Sequence, residues 1–565
     1  MALGKILVAC GWPYVNHLPH LGTLVQVLSA DVAARYYRLK GEEVVMVSGS
    51  DEHGTPIEVE AVKQGISPKD LSDRNHKLVS SLLEKWGVSF NNYTRTESPV
   101  HKDFVRDFHR KIEKNGYVFT QETELPRCPN CQRFLPDRFV EGRCPFCGDE
   151  EARGDQCEKC GKLLDPDKLI NPRCTICGTK PIFRKVTHWY FDLPKFAEQL
   201  LEYIENNKQL PGNARNFSLN FIKEGLKPRP VTRDSKWGIL APFKGAEDKT
   251  LYVWFENVLG YVSATIEYFR DRGEPEKWKE YWFNKDAKTL YFIGKDNIPF
   301  HTIIFPALLL ASHEDYNLPW NVSATEFLQY KGEAFSKSRR IGVWIDEALE
   351  LFPADYWRYF VIATRPETKD TNFSWELFIE KVNADLNDTF GNFIHRTLTF
   401  INTRFNSEVP KPSRLDQDDE LALKTLEEKV KTIAKEIEAC RLQSAANNTI
   451  STSRIGNQYL NEKEPWNVIK KDMGKAANTI YVTAQVVKAL AIVSAPFIPF
   501  AAEELWRILN LPGNVHEQKW DEALKPLPAS HKVGRAKPLF QKIEADSEKL
   551  AETLEKVRER SSKTA

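Results

Sequence analysis

Four Cys-x-x-Cys pairs crowded between Cys128 and Cys177 constrain this chain more than any other feature: Cys128 with Cys131, Cys144 with Cys147, Cys157 with Cys160, and Cys174 with Cys177. Eight thiolates at this spacing suit two tetrahedral zinc sites of four sulfurs each. Such sites are structural, because four thiolates leave no open coordination position. RCPNCQRFLPDRFVEGRCPFCG and QCEKCGKLLDPDKLINPRCTICG form an internal repeat, each half carrying two of the pairs. The partition stays open: sequential pairing joins the first pair to the second, and nested pairing joins inner with inner and outer with outer. Ten cysteines in a small secreted protein would suggest disulfides. In a chain of 565 residues with eight of them so spaced, they indicate metal in a reducing compartment. Cys10 and Cys440 lie outside the pattern and are expected to be buried.

The chain is too long for one hydrophobic core and calls for about three to five domains. MALGKILVACGWPYV lacks the apolar stretch and small-residue cleavage site of a secretory signal. The apolar run Thr302 to Ala311 falls well short of the roughly 20 residues that span a bilayer. The expectation is a soluble, cytoplasmic protein with no membrane partner. With 79 Lys and Arg against 78 Asp and Glu, there is no global basic field, so any polyanion must be bound locally.

Lys5 to Ala9 reads as a buried strand. Leu24, Val27, Leu28, Val32, Tyr36 and Leu39 recur at helical spacing until Gly41, and Val44 to Ser48 reads as a second strand. Strand, loop, helix, strand is the unit of a parallel doubly wound sheet, whose ligands sit beyond the carboxyl ends of the strands. PYVNHLPHLGT, starting at Pro13, and SGSDEHGTP, starting at Ser48, occupy those ends. Leu251 to Phe255 and Leu290 to Ile293 resume the strands, and a helix follows over about Pro299 to Ser312, so the cysteine segment interrupts one sheet. From Asn383 the strand signals give way to amphipathic helices, running through Ala484 to Leu509. The charge-rich stretch Leu539 to Lys563 carries a thin stripe of Leu550, Leu554 and Val557 and is expected to dock onto the body.

Two short elements carry the chemistry. His20-Leu21-Gly22-Thr23 stands at a strand-to-helix junction, where Gly22 permits close approach and the helix amino end favours phosphate. Phe335-Ser336-Lys337-Ser338, after Gly332 and before Arg339 and Arg340, is a small-residue basic loop able to fold over a pyrophosphate. Alone, the first is an ordinary turn as readily as a site, and the second a solvated loop. At opposite ends of a split nucleotide-binding sheet, the pair resembles the two hallmark elements of class I aminoacyl-tRNA synthetases. PYVN before HLG, SGSDEHGTPIE, LPDRFVEG, ARGDQC, EGLKPR, TRD, KWGI, YVWFE, FIGKDNIPFH and EPW then follow in the order seen in the methionyl-tRNA synthetase family, in particular its archaeal and eukaryotic branch.

The resemblance implies an α/β fold: a split Rossmann-type parallel-sheet catalytic domain with a zinc-knuckle insertion, followed by an all-α anticodon-binding helical bundle. The expected boundaries are 1–115 and 231–325 for the two catalytic halves, 116–230 for the insertion, 326–385 for a stem-contact region, 386–540 for the bundle and 541–565 for a helical tail. The implied reaction joins methionine to ATP as methionyl adenylate and transfers it to tRNA(Met), for initiation and elongation. His20 and Lys337 are the expected catalytic residues, stabilising phosphate charge without a protein nucleophile. ATP, with Mg2+, is expected at Pro13, Tyr14, His20, Gly22, Thr23, Gly294, Lys295, Asp296, Ser336, Lys337 and Ser338. Methionine is expected at Trp12, Tyr14, Asp51, Trp254, Tyr261, Ile298 and His301, with Asp51 on the ammonium and aromatic surface around the thioether. The resemblance singles out Cys144, Cys147, Cys157 and Cys160 as one zinc site, within an expected total of one or two ions. Asn392, Arg396 and Trp466 are expected to read a CAU anticodon.

Some positions depart from the family pattern. Ala334 stands where the family usually has Lys, Thr23 where it has His or Asn, Trp12 where many members have Leu, and Glu256-Asn257-Val258 where many have Asp or Glu, Ala, Pro. One cation of the loop is missing, leaving Lys337 to carry its charge, with Arg339 or Arg340 as compensating groups. The chain ends where the family sometimes appends an oligonucleotide-binding barrel, so a monomer is expected, any such tRNA-binding module acting in trans as a separate protein. Three rivals remain on sequence grounds: a synthetase for Leu, Ile or Val, which would need a large editing domain where the cysteines stand; a paralogue that only binds RNA; and a zinc-knuckle interaction protein.

Overall fold

The computed structural model describes residues 4–135, 139–154, 157, 159–160, 162, 164, 166–335 and 341–564, with 561–564 as backbone only. At its centre is a five-stranded, wholly parallel sheet in the order Asn321–Thr325, Lys288–Gly294, Lys5–Cys10, Glu43–Ser50, Asn92–Arg95. The chain enters at the middle strand, winds outward to one edge, and returns on the other side after the insertion. Its switch point therefore falls between Lys5–Cys10 and Lys288–Gly294, where a crevice opens beyond the carboxyl ends. Leu7, Val8 and Ala9 are fully buried because helices cover both faces, which is why this strand is continuously apolar rather than alternating. The helix Leu21–Leu39 leads from the middle strand to its neighbour and has most of its residues buried.

One expected strand is a helix. Thr250–Leu251 pairs briefly with Thr232–Arg233, and the chain then turns into the helix Val253–Asn257. The run LYVWF has the β-branched and aromatic composition of a strand, but a short apolar run does not distinguish the two forms, and tertiary packing decides. The helical turn sets Trp254 and Glu256 two residues apart on one short element. The expected helix after Pro299 begins as a π-helix, Phe300–Ile304, and continues as an α-helix, Phe305–Ala311.

The insertion rises on a long antiparallel pair, Val118–Cys128 with Ile182–Phe191, and ends in a small sheet of Val140–Arg143, Ala152–Arg153 and Ile170–Cys174. After the sheet-bearing part come the helices Asn392–Arg404, Gln417–Glu438, Leu442–Lys463, Met473–Ser494 and Pro499–Ile508. Met473–Ser494 is long and apolar enough to cross a membrane by composition, yet its apolar window is 94% buried inside the bundle, which makes it the core helix of that unit. The terminal helix Ser547–Thr564 buries Leu550, Leu554 and Val557, and Arg558 donates to the Gly342 carbonyl at 2.7 Å and to Glu347 Oε1 at 2.7 Å.

Candidate active site

The middle strand ends at Cys10, and its continuation brings the two nucleotide elements together. His20 caps the helix Leu21–Leu39: its Nδ1 accepts the Thr23 backbone N–H at 3.3 Å. The neutral ring then carries its proton on Nε2, the form that donates to a phosphate oxygen. Its ring stacks on Phe335, with centroids 4.6 Å apart and planes 11° apart. Phe335 belongs to the basic loop, 315 positions away, so the two elements touch through aromatic rings. Gly342, at φ +138, allows this: a Cβ there would lie 2.3 Å from Phe335 Cδ1. The segment after the loop is strapped to the first element, with Leu21 N–H donating to Val343 O at 3.0 Å and Ile345 N–H to Pro19 O at 3.1 Å. Ser336, Lys337 and Ser338 lie outside the described residues, as do Arg339 and Arg340.

Across the crevice, Gly294 closes its strand, and Lys295 ion-pairs with Glu326 and Asp370, each at 2.8 Å, above the Phe327 ring at 4.3 Å. Its charge is thus matched within the protein. Asp296 is exposed. Asp370 also accepts the Phe327 N–H at 2.9 Å, tying the GKDN element to the strand Leu328–Tyr330 that leads into the loop.

Pro13 to Val15 adds to the end of the neighbouring strand, with Asp51 N–H donating to Pro13 O at 2.9 Å and Val15 N–H to Asp51 O at 3.1 Å. This brings Tyr14 and Asp51 alongside each other. Asp51 is buried; Oδ1 accepts the His53 N–H at 3.3 Å, and among the described residues Oδ2 has no partner within hydrogen-bond distance. Burial first, and the Glu256 charge second, raise its carboxyl well above the usual range. An orphaned, buried carboxylate oxygen costs free energy until a donor arrives, and an ammonium group is such a donor. Around it stand aromatic surfaces: Tyr14 packs edge-on to Trp254 at 6.1 Å, and Trp254 stacks on Phe300 at 4.1 Å. Tyr261 donates its hydroxyl to His301 Nε2 at 2.7 Å, while His301 Nδ1–H donates to the Asn297 carbonyl at 2.9 Å. Burial holds His301 down at about 4, so it is a neutral imidazole and the Tyr261 proton is already committed to it. Ile298 is buried beside them.

Trp12 lies in a slot cut by two glycines. A Cβ on Gly49 would sit 2.6 Å from Trp12 Cζ3, and one on Gly260 would sit 2.8 Å from Trp12 Cζ2. Gly260→Ala is therefore expected to destabilise the protein by about 1–3 kcal/mol through overpacking and to raise KM for the amino acid. Adding Trp12→Leu should recover most of both losses, as followed by thermal melting and initial rates. A double variant no better than Gly260→Ala would refute this fit.

The profile described as tRNA synthetases class I (M) matches residues 6–398, and that of the anticodon binding domain of methionyl tRNA ligase matches residues 409–559. The methionine–tRNA ligase of Aeropyrum pernix is 51% identical over 562 residues, covering 99% of this chain and 98% of its own. That of Ignicoccus hospitalis is 53% identical over 561 residues, covering 98% of each. The chain belongs to the class I methionyl-tRNA synthetase family. The fold agrees: a structure of Mycobacterium tuberculosis methionyl-tRNA synthetase in complex with methionyl-adenylate superposes with a TM-score of 0.80 at 23% identity, covering 95% of this chain and 100% of that one.

The insertion of this synthetase-family chain resolves the open partition of its cysteines in favour of nesting. Cys128, Cys131, Cys174 and Cys177 form one cluster, and Cys144, Cys147, Cys157 and Cys160 the other, with all sulfurs of a cluster within 4.8 Å of one another. Sulfur–sulfur separations of 3.4 to 4.0 Å in the outer cluster and 3.6 to 3.9 Å in the inner one bracket the roughly 3.8 Å expected between thiolates around a tetrahedral Zn2+ at 2.3 Å. Each cluster can hold one metal ion. Cys10 and Cys440 are buried elsewhere.

In the helical second half, Asn392 is exposed at the start of its helix, and Arg396 lies one turn on, donating to Asn457 Oδ1 at 3.2 Å and Asn461 Oδ1 at 2.9 Å. Its guanidinium sits 5.2 Å from the Trp466 ring centroid, and Trp466 is 38% exposed rather than core.

Three residues near the candidate site, His53, Glu97 and Phe300, have no role in the sequence reading, and Glu256 stands there only as a departure from the family pattern. Both ring nitrogens of His53 meet carboxylates, Nδ1 at 2.7 Å from Glu256 Oε1 and Nε2 at 2.8 Å from Glu97 Oε1. His53 and Glu256 stand inside quoted motifs, but only their meeting across 203 positions gives them a role, and no local pattern signals that.

Proposed function

We propose that the chain is a methionine–tRNA ligase: it joins methionine and ATP into methionyl adenylate and then passes the methionyl group to the terminal ribose of tRNA(Met) with a CAU anticodon. The observation that carries the amino-acid site is the buried Asp51 carboxylate, with one oxygen unpartnered among the described residues, beside the Tyr14, Trp254 and Phe300 rings. Asp51 would hold the ammonium, and Tyr14, Trp254, Tyr261, Ile298 and His301, with Trp12 behind, would enclose the thioether. The carboxylate would attack the α-phosphorus in line, displacing pyrophosphate. His20 Nε2–H and the helix amino end would meet the charge that develops on the phosphates, with Gly22 and Thr23 at the same turn. Pro13, Tyr14, Gly294, Lys295, Asp296, Ser336, Lys337 and Ser338 complete the ATP set, and Mg2+ would arrive with the nucleotide. An ATP–pyrophosphate exchange panel over the twenty amino acids tests this reading. Methionine-dependent exchange is expected, and exchange with leucine but not methionine would overturn it.

The two cysteine clusters would hold zinc as structural ions, keeping the knuckles folded. Atomic absorption on the purified chain should give two zinc equivalents, and a single equivalent would mean that only one cluster is a zinc site. In the bundle, Trp466 would stack an unstacked base beside Arg396 and Asn392. Trp466→Ala is expected to raise KM for tRNA by about 5- to 150-fold, the worth of one base–aromatic stack, and to spare tRNA-independent exchange. A parallel fall in exchange would make Trp466 structural. These roles fit a monomer in the cytoplasm.

A further inference from the structure

The carboxylates beside Asp51 outnumber the cations that meet them. Arg95 Nε pairs with Glu52 at 2.8 Å, Lys102 with Glu97 at 2.5 Å, and His53 spans Glu97 and Glu256. Arg95 also reaches Asp73, which Lys69 matches in turn. Three cations (Arg95, Lys102, His53) thus face four carboxylates (Glu52, Glu97, Glu256, Asp51), and Asp51 is the one with no cationic partner in the described network.

Among the described residues, the other histidines packed here add no positive charge. His101, from the helix Pro99–Lys114, hydrogen-bonds Ser263 at 2.8 Å and is held neutral by burial and by the charge on His53, at about 3. His76 is likewise lowered to about 4, by burial and then by Arg95. Trp237 closes the remaining side of His53 edge-on at 5.7 Å, with its Nε1–H on the Glu52 carbonyl. A ring with a carboxylate on each nitrogen is an imidazolium: burial opposes the charge, but Glu256 and Glu97 outweigh it and hold His53 at about 10.

We propose that His53 is a positioning residue for amino-acid binding: by neutralising Glu256 it leaves Asp51 as the single unmatched carboxylate, which the substrate's ammonium completes. The proposal rests on the reading of Asp51 as the ammonium seat. It makes the sign of two substitutions opposite. His53→Gln removes the cation paired with Glu256, so the pocket gains net negative charge, Asp51 keeps its proton to higher pH, and the pH limb of methionine affinity moves up. Glu256→Gln removes the neighbouring charge and leaves His53 facing Asp51, so the same limb moves down.

The test is methionine-dependent ATP–pyrophosphate exchange on the full chain from pH 6 to 9, for wild type, His53→Gln, Glu256→Gln and the double variant. His53→Gln should raise KM for methionine about 10- to 100-fold near neutral pH, a deficit that shrinks as pH rises, with KM for ATP changed by less than about threefold. The double variant should recover about tenfold of that loss, a coupling that additive effects do not produce. The proposal is overturned if the two single variants move the limb in the same direction or not at all, or if His53→Gln affects ATP and methionine alike. If His53→Gln does not fold, the downward shift in Glu256→Gln decides: its absence also overturns the proposal. Failure of the underlying reading looks different, since Asp51→Asn would then leave KM for methionine untouched.

Discussion

Replacing Asp51 by Asn lowers kcat/KM for methionine by about 100- to 1000-fold, with most of the loss in KM. The amide keeps the shape and can still meet the His53 N–H, but it presents no charge to an ammonium group drawn out of water. Breaking one half of a buried ion pair costs about 3–5 kcal/mol because the other half stays desolvated. The pH profile sharpens the test. Burial and Glu256 raise the Asp51 carboxyl in the empty pocket, so at low pH it is protonated and cannot pair. Methionine affinity therefore rises with pH until that carboxyl ionises and then levels off, while Asp51→Asn removes the limb altogether. Calorimetric titration with methionine at several pH values measures both. A pH-independent wild type, or a variant within threefold of it, would remove Asp51 from the site.

The second large effect falls on the rate. His20→Ala deletes the Nε2–H donor, the cap on the helix Leu21–Leu39 and the ring that stacks on Phe335. Loss of one positioned donor to developing charge lowers kcat by about 100- to 1000-fold, whereas loss of a cap costs only about 1 kcal/mol of stability. His20→Asn restores a capping side chain without the imidazole donor, so it should regain melting temperature but not rate. Methionine binding measured without ATP should be unchanged in both variants. If His20→Asn recovers the rate as well, the cap and not the donor is what the reaction needs.

The residues also show why some of the site is legible in one dimension and some is not. SDEHG runs straight on from one strand and HLGT follows another after a short loop, and the unbroken apolar runs of both strands betray a doubly covered parallel sheet, so their place at its carboxyl edge follows from local pattern. The eight cysteines announce tetrahedral metal sites by spacing alone. Their nesting is decided by the antiparallel pair Val118–Cys128 with Ile182–Phe191, whose pairing brings the ends at Cys128 and Cys177 together and leaves the inner pairs to each other. LYVWF misleads because the composition of a short buried run is shared by strand and helix. Only packing against the sheet makes Val253–Asn257 helical.

By itself, then, the sequence determines the parallel sheet, the cysteine-bearing insertion, the helical second half and the motif set of a methionyl-tRNA synthetase, because each is written in residues close together in the chain. The tertiary structure decides what depends on distant residues meeting. Phe335 against His20, Gly49 and Gly260 around Trp12, and His53 between Glu97 and Glu256 are such meetings. The physical reason is that charge balance, ring stacking and steric fit act over a few ångströms of space, whatever the separation along the chain.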